Sequence, residues 1–298
     1  MKKLLVFLLT ALSMQSASAA INVFACEPEW GALTQELAGS RAEIYVAATA
    51  LQDVHHLQAR PSLIAKLRRA DVLVCSGADL EAGWLPAVLR QAGNAKVQPG
   101  QGGYFEAAMQ VERLEIPAQL DRAQGDLHAA GSPHVHLDPR RVLTIAQALS
   151  ARLSELDSAG ANIYAERLKN FTERWQQAIA RWEAQAASLK GLAVVSHHKD
   201  WVYLYNWLGM EEVATLEPKP GLPPSAGHLA ALKAQMKDRP ARLIVRAAYQ
   251  EERPSRWLSE QTGIAAVMLP YTVGGAPEAK DLFSLFDDTL QRLLKVVK

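Results

Sequence analysis

Residues 159–190 contain no proline and a single glycine, Gly160, and this uninterrupted run constrains the fold more than any other feature of the chain. Within it Leu168, Phe171, Trp175, Ile179 and Trp182 recur at steps of three and four, which makes one apolar stripe along an α-helix. At 1.5 Å per residue a helix of about 28 residues is about 42 Å long, enough to cross the back of two domains.

On either side of that run, strand-like apolar segments alternate with amphipathic helical ones. Strands are expected near 23–26, 44–47, 71–75 and 96–98, then near 192–196, 213–216, 243–245 and 265–269. Helices are expected near 29–37, 61–69, 84–91 and 139–156, with Pro28, Pro61 and Pro139 placed to open three of them. Further helices fall near 201–208, 225–237, 254–261 and 280–295, while 98–103 and much of 104–133 read as irregular. Repeated β-α alternation argues for parallel sheets covered on both faces. The predicted fold is therefore α/β: two Rossmann-like parallel-sheet domains joined by one long rigid helix. The expected division is a leader at 1–19, a first domain at 20–157, the linking helix at 158–190 and a second domain at 191–298.

Lys2 and Lys3 precede an apolar run from Leu4 to Leu12, and small residues end at Ala17-Ser18-Ala19. A basic start, a short apolar stretch and an A-x-A site describe a cleavable secretory leader. The run is too short to span a bilayer, and no cysteine follows it to take a lipid anchor. A soluble periplasmic protein, monomeric and not membrane-anchored, is the expectation. Without Lys2 and Lys3, 30 of the 32 Lys and Arg remain against 31 Asp and Glu, so the mature chain carries a net charge near −1. It has no basic stripe suited to nucleic acid. Cys26 and Cys75 are the two cysteines. Each closes a strand-like run, and in an oxidising compartment such a pair is a disulfide candidate.

Seven of the eight histidines fall into three clusters: His55-His56, His128 with His134 and His136, and His197-His198. His228 stands alone. Each cluster occupies a loop that would leave the carboxyl end of a strand, where open α/β sheets bind ligands. A single histidine is usually a hydrogen-bonded surface or core residue, but three clusters at one topological position point to a metal.

These segments resemble the zinc- and manganese-binding receptors of bacterial ABC importers. Asp53-Val54-His55 followed by Pro61-Ser62 is similar to their D-P-H…P-S/T segment. Pro133-His134-Val135-His136-Leu137-Asp138-Pro139 is similar to P-H-x-W-L-D-P, with His136 in place of the usual Trp. His198-Lys199-Asp200-Trp201-Val202-Tyr203 resembles H-K-x-W-x-Y, and Glu217-Pro218-Lys219-Pro220 the E-P-x-P turn that follows. The resemblance covers the whole mature chain. It implies His55, His134 and His198 as metal ligands, with roles left open for His56, His128, His136 and His197. The long His/Asp/Glu-rich loop of many zinc receptors is absent near His128.

The family's fourth ligand is often an aspartate before the last helix, and Tyr271 stands about there. Asp281, ten residues on, is the nearest acid; it is a candidate fourth ligand and equally a helix-terminal acid placed by the macrodipole. The resemblance implies a non-enzymatic receptor that captures a divalent metal and hands it to an ABC permease. Three imidazoles favour Zn²⁺, with Mn²⁺ the alternative. A secreted zinc hydrolase is the competing reading, but no H-E-x-x-H occurs, and Glu27, Glu29 and Glu217 are the only loop carboxylates suited to act as its base. A metal chaperone or adhesin on the same fold is another. The exported protein is expected to begin near Ala20. N-terminal sequencing checks this, and an intact Met1 in the mature pool would refute the leader.

Overall fold

The computed structural model describes residues 20–118, 125 and 128–297, so the expected leader lies outside the described residues. Among the described residues no helix is long and apolar enough to cross a membrane.

The first sheet holds β1 (Ile21–Ala25), β2 (Ala42–Val46), β3 (Val72–Cys75) and β4 (Tyr104–Glu106) in the order β2-β1-β3-β4, all parallel. The second repeats that order as β6-β5-β7-β8, from β5 (Ala193–Ser196), β6 (Glu211–Thr215), β7 (Leu243–Ala247) and β8 (Ala265–Leu269). Parallel strands need crossovers, and helices supply them. In the first half these are α1 (Pro28–Ala38), α2 (Pro61–Leu67), α3 (Leu85–Ala92) and α4 (Pro139–Leu156). After α5 (Ala161–Ala186) come α6 (Val202–Leu208), α7 (Ala226–Asp238), α8 (Glu252–Thr262) and α9 (Leu282–Val297). In both sheets the chain reverses direction beside the first strand, so the crevices open past the ends of β1 and β3, and of β5 and β7.

One strand differs from expectation. Residues 95–97 form a 3₁₀ turn, and the fourth strand is Tyr104–Glu106 instead. Asn94 caps the turn through Lys96 N, and Gly103 packs so closely on the Asp71 and Lys96 carbonyls that a side chain there would clash. The chain thus turns first and pairs with β3 only after the glycines. The pairing of β1 with β3 carries Cys26 to Cys75, and the two form a disulfide. Closing a loop of 49 residues in the unfolded chain stabilises the fold by about 4 kcal/mol in the chain-entropy model.

α5 runs 26 residues and its apolar stripe is the spine of the molecule. Phe171, Trp175 and Trp182 are fully buried, with Trp175 and Trp182 crossing edge to face at 5.2 Å. Trp175 Nε1 donates to the Pro139 carbonyl of the first half at 2.8 Å, while its ring meets Phe283 of α9 at 4.8 Å. Trp182 stacks on Phe286 at 5.0 Å and donates to Asp287 Oδ1. A single hydrophobic core thereby runs from the first sheet through α5 to the second.

A second tie lies at the cleft. Tyr203 of α6 donates to the Ser132 carbonyl at 2.8 Å and accepts from Leu114 N at 3.0 Å, while Ser132 N donates to the Leu114 carbonyl. Replacing Trp175 by Ala is expected to cost about 3–5 kcal/mol, measured by urea unfolding of the oxidised protein. A loss below about 1 kcal/mol would contradict the spine role.

Candidate metal centre

Four histidines converge where the loops leaving the strand ends meet. His55 sits in a 3₁₀ turn after β2, opened by Asp53, whose carboxylate accepts from both His55 N and His55 Nδ1 (3.0 and 2.8 Å). His134 lies in the tight turn that leads into α4, a helix capped by Asp138 through Arg140 N. His198 follows β5, with its Nδ1 2.6 Å from Glu217 Oε2, and the same oxygen accepts from Gly221 N. His128 comes from the loop after β4.

The His55 ring is the hub: its centroid is 5.3 Å from His128, 6.0 Å from His134 and 5.8 Å from His198. Donor atoms of His55, His128 and His134 all lie within 4.8 Å of one another. The Nε2 atoms of His55 and His128 are 3.3 Å apart, and tetrahedral nitrogens around zinc at 2.0–2.1 Å stand about 3.3 Å from each other.

The outer partners decide which nitrogen each ring offers. Nδ1 is held by Asp53 in His55, by Glu217 in His198 and by the Tyr271 hydroxyl, at 2.6 Å, in His134. In the tautomer that exposes Nε2, Nδ1–H donates to these oxygens and orients the ring. Tyr271 occupies the left-handed region (φ 67°), a strained conformation for a bulky residue, and burial holds its phenol protonated. His134 Nε2 is buried and has no protein partner. A buried imidazole nitrogen left bare in this way is suited to a metal.

Electrostatics separate the rings. Burial, then His128 and His55, push the His134 pKa well below the usual value. Burial, then His55 and His198, lower that of His128 to about 4. For His198 burial pulls down, but the Glu217 hydrogen bond and the Asp200 and Glu217 charges outweigh it and raise the pKa to about 9. The set therefore holds two rings with lowered pKa, His128 and His134, on the first half and one carboxylate-backed donor, His198, on the second.

The other expected residues lie elsewhere. Asp281 is not brought to the histidines: it is exposed at the start of α9, and its Oδ1 accepts from Ser284 N at 2.7 Å, a helix cap. His56 is largely exposed beside Asp53. His136, in the position where the resembling receptors carry Trp, is buried between Glu29 Oε1 (3.3 Å) and the Tyr271 carbonyl (3.1 Å). His197 is buried behind His198, and His228 on α7 contacts the Thr215 carbonyl. His128 is the residue that motif matching passed over, because no segment of the resemblance contains it. Its membership of a histidine cluster was the available signal; residues 126 and 127 beside it lie outside the described residues.

Two of the three loop carboxylates considered as a base are engaged away from the cluster. Glu29 accepts from Thr272 Oγ1 and faces His136. Glu27 is buried with Glu81, and both accept from Ser76 N, at 3.1 and 2.8 Å. Burial first, then repulsion from Glu81 and Glu29, raises the Glu27 pKa well above the carboxylate range, and burial raises Glu81 to about 7. A carboxyl raised on folding stabilises fully below its unfolded pKa, and that stabilisation fades as pH rises through the folded value. The thermal midpoint is therefore expected to decline between about pH 4.5 and about pH 7 through this pair. Glu27→Gln should flatten that decline; an unaltered pH–midpoint curve would show that the pair does not titrate there.

Residues 23–296 match the family model for the zinc-uptake complex component A, periplasmic. The chain is 22% identical over 274 residues to the zinc-binding lipoprotein AdcA of Streptococcus pneumoniae, 88% of this chain but 52% of that protein. It is 19% identical over 269 residues to the high-affinity zinc uptake system protein ZnuA of Bacillus subtilis, covering 89% of this chain and 82% of that one. The first curated relatives it matches, AdcA among them, are about twice the length that the match spans. Among solved structures, a crystal structure of ZnuA aligns with TM-score 0.77 at 19% identity, over 94% of this chain and 100% of that one, which shows the shared fold.

Proposed function

The chain belongs to the periplasmic zinc-uptake complex component A family, and we propose that it captures zinc in the periplasm and delivers it to the permease of an ABC importer. The observation that carries this reading is the convergence of four imidazoles from four loops, three of them with Nδ1 held by a separate oxygen. The cargo would be held by His55, His128, His134 and His198.

The donor set favours zinc over manganese, because imidazole nitrogen suits Zn²⁺ whereas Mn²⁺ prefers a larger share of oxygen. Four protein donors complete a tetrahedron, the arrangement of a holding site; a hydrolase keeps one position open for water. Glu217, the loop carboxylate that touches a cluster histidine, faces its Nδ1 side, away from where a reacting water would sit. Relatives in this family serve zinc and manganese uptake, which supports an importer as the partner.

His55→Ala, His134→Ala, His198→Ala and His128→Ala should each weaken zinc binding by about 100-fold or more, on the order of 3 kcal/mol, in competition with a chromophoric chelator. His228→Ala should leave it within about threefold. Asp281→Asn should leave zinc affinity unchanged and helix stability within a few tenths of a kcal/mol, because asparagine caps as well as aspartate, whereas Asp281→Ala should cost about 0.5–2 kcal/mol of stability. Equal affinities across the histidine variants would overturn the site, and a large zinc loss in Asp281→Asn would restore that residue as a ligand.

A further inference from the structure

Tyr271, in the loop that leaves β8, is held at both ends by one turn of the first half. Its hydroxyl lies 2.6 Å from His134 Nδ1, and its carbonyl accepts from His136 Nε2 at 3.1 Å. His134 and His136 stand two residues apart in the turn before α4, so a single residue of the second half spans them. The next residue repeats the crossing: Thr272 Oγ1 donates to Glu29 Oε2, while Glu29 Oε1 faces His136 Nδ1 at 3.3 Å. All five residues are buried, none more than 7% exposed.

The backbone at this point is strained. Thr272 N donates to the Pro270 carbonyl at 2.8 Å, closing a three-residue turn with Tyr271 at its centre and φ at 67°. Such a turn is rare, and a bulky residue keeps it only where the surroundings enforce it. Two sets of contacts do so here. The His136 bond pins the carbonyl. The phenol ring is boxed edge to face by His134, His136, Trp201 and Tyr249, with centroids 5.9, 5.1, 5.3 and 5.5 Å away. The box sets where the ring stands and the pinned carbonyl sets its pitch, which together aim the hydroxyl at His134.

We propose that Tyr271 is a positioning residue that reaches across the cleft to orient His134 for zinc, and that His136 sets its aim through the Tyr271 carbonyl. The inference rests on His134 being a zinc ligand. A hydroxyl that accepts from Nδ1–H leaves Nε2 to the ion. Asp53 and Glu217 belong to the same halves as the rings they orient, whereas Tyr271 belongs to the opposite half from His134. The orientation of His134 therefore depends on the two halves standing together, and a motion that parts them withdraws its partner.

The test uses the full oxidised protein with zinc and with Co²⁺ as probes. His134→Ala is measured first; an unchanged zinc affinity removes the ligand on which the proposal rests and overturns it, while leaving the other histidines as a separate question. Given the expected loss, Tyr271→Phe, which deletes only the hydroxyl, should weaken zinc by about tenfold or more and shift the visible bands of the Co²⁺ form. In the His134→Ala background the same substitution should have little effect on affinity. His136→Phe, which keeps a ring but cannot donate, should weaken zinc by about tenfold. His136→Gln, whose amide can donate to the carbonyl, should recover binding to within about threefold of the parent. Because His136 acts through Tyr271, the double variant Tyr271→Phe/His136→Phe should bind within about twofold of Tyr271→Phe alone. Parental affinity and cobalt bands in Tyr271→Phe, whatever its thermal midpoint, would overturn the proposal while leaving His134 a ligand. Fully additive losses in the double variant, or a His136→Gln as weak as His136→Phe, would overturn the role of His136. If His136→Phe does not fold, Tyr271→Phe alone and in the His134→Ala background still decides the matter.

Discussion

Burial of the aromatic stripe on α5 fixes how far apart the two sheets stand, and every nitrogen of the histidine cluster depends on that distance. His55, His128 and His134 ride on the first sheet and His198 on the second, so the four rings meet only if the sheets are held as one body. Phe171, Trp175 and Trp182 provide that hold because each buries a large apolar face, and the two indoles also find acceptors for their N–H groups. Helix propensity alone would not select this arrangement; the packed seam against α9 does.

Gathering several basic nitrogens in one buried place invites mutual repulsion if they are protonated. The fold avoids this in two ways. His134 is buried and His128 half-buried, and burial first, then the neighbouring imidazoles, holds the pKa of each below the usual value. His198 stands opposite Glu217 and Asp200, so its charge is compensated from behind. The compensation comes from the far side of the ring, the same geometry by which a carboxylate orients a metal-binding imidazole. Behind the site lies a polar latch, where His136 and Glu29 of the first half meet Tyr271 and Thr272 of the second.

Much of this was legible in the sequence. The Pro-free run at 159–190, the β-α alternation and the prolines at helix starts announced the two sheets and the long helix, because backbone periodicity and helix-start chemistry are local properties. The cysteine pairing followed from placing both residues at strand ends. The loops of His55, His134 and His198 were assigned to one end of the sheets, where they are found. What sequence could not show depends on distant contacts. β4 was displaced because Gly103 has to pass the Asp71 and Lys96 carbonyls before pairing begins. Asp281 was equally readable as ligand or cap, and only its hydrogen bond to Ser284 N distinguishes them. His128 lies outside every motif.

Tyr203 has a consequence for binding entropy. Its hydroxyl joins Leu114 N to the Ser132 carbonyl, so the excursion that carries His128 is cinched at its neck by a phenol from the opposite half of the molecule. A free loop of that length would have to be drawn in each time an ion arrived, at an entropic cost that grows with the logarithm of its length. Here the neck is closed when the protein folds, before any ion is met. In the proposed site His128 would thereby be presented at a high effective concentration, with the ordering that opposes capture already absorbed into the stability of the fold.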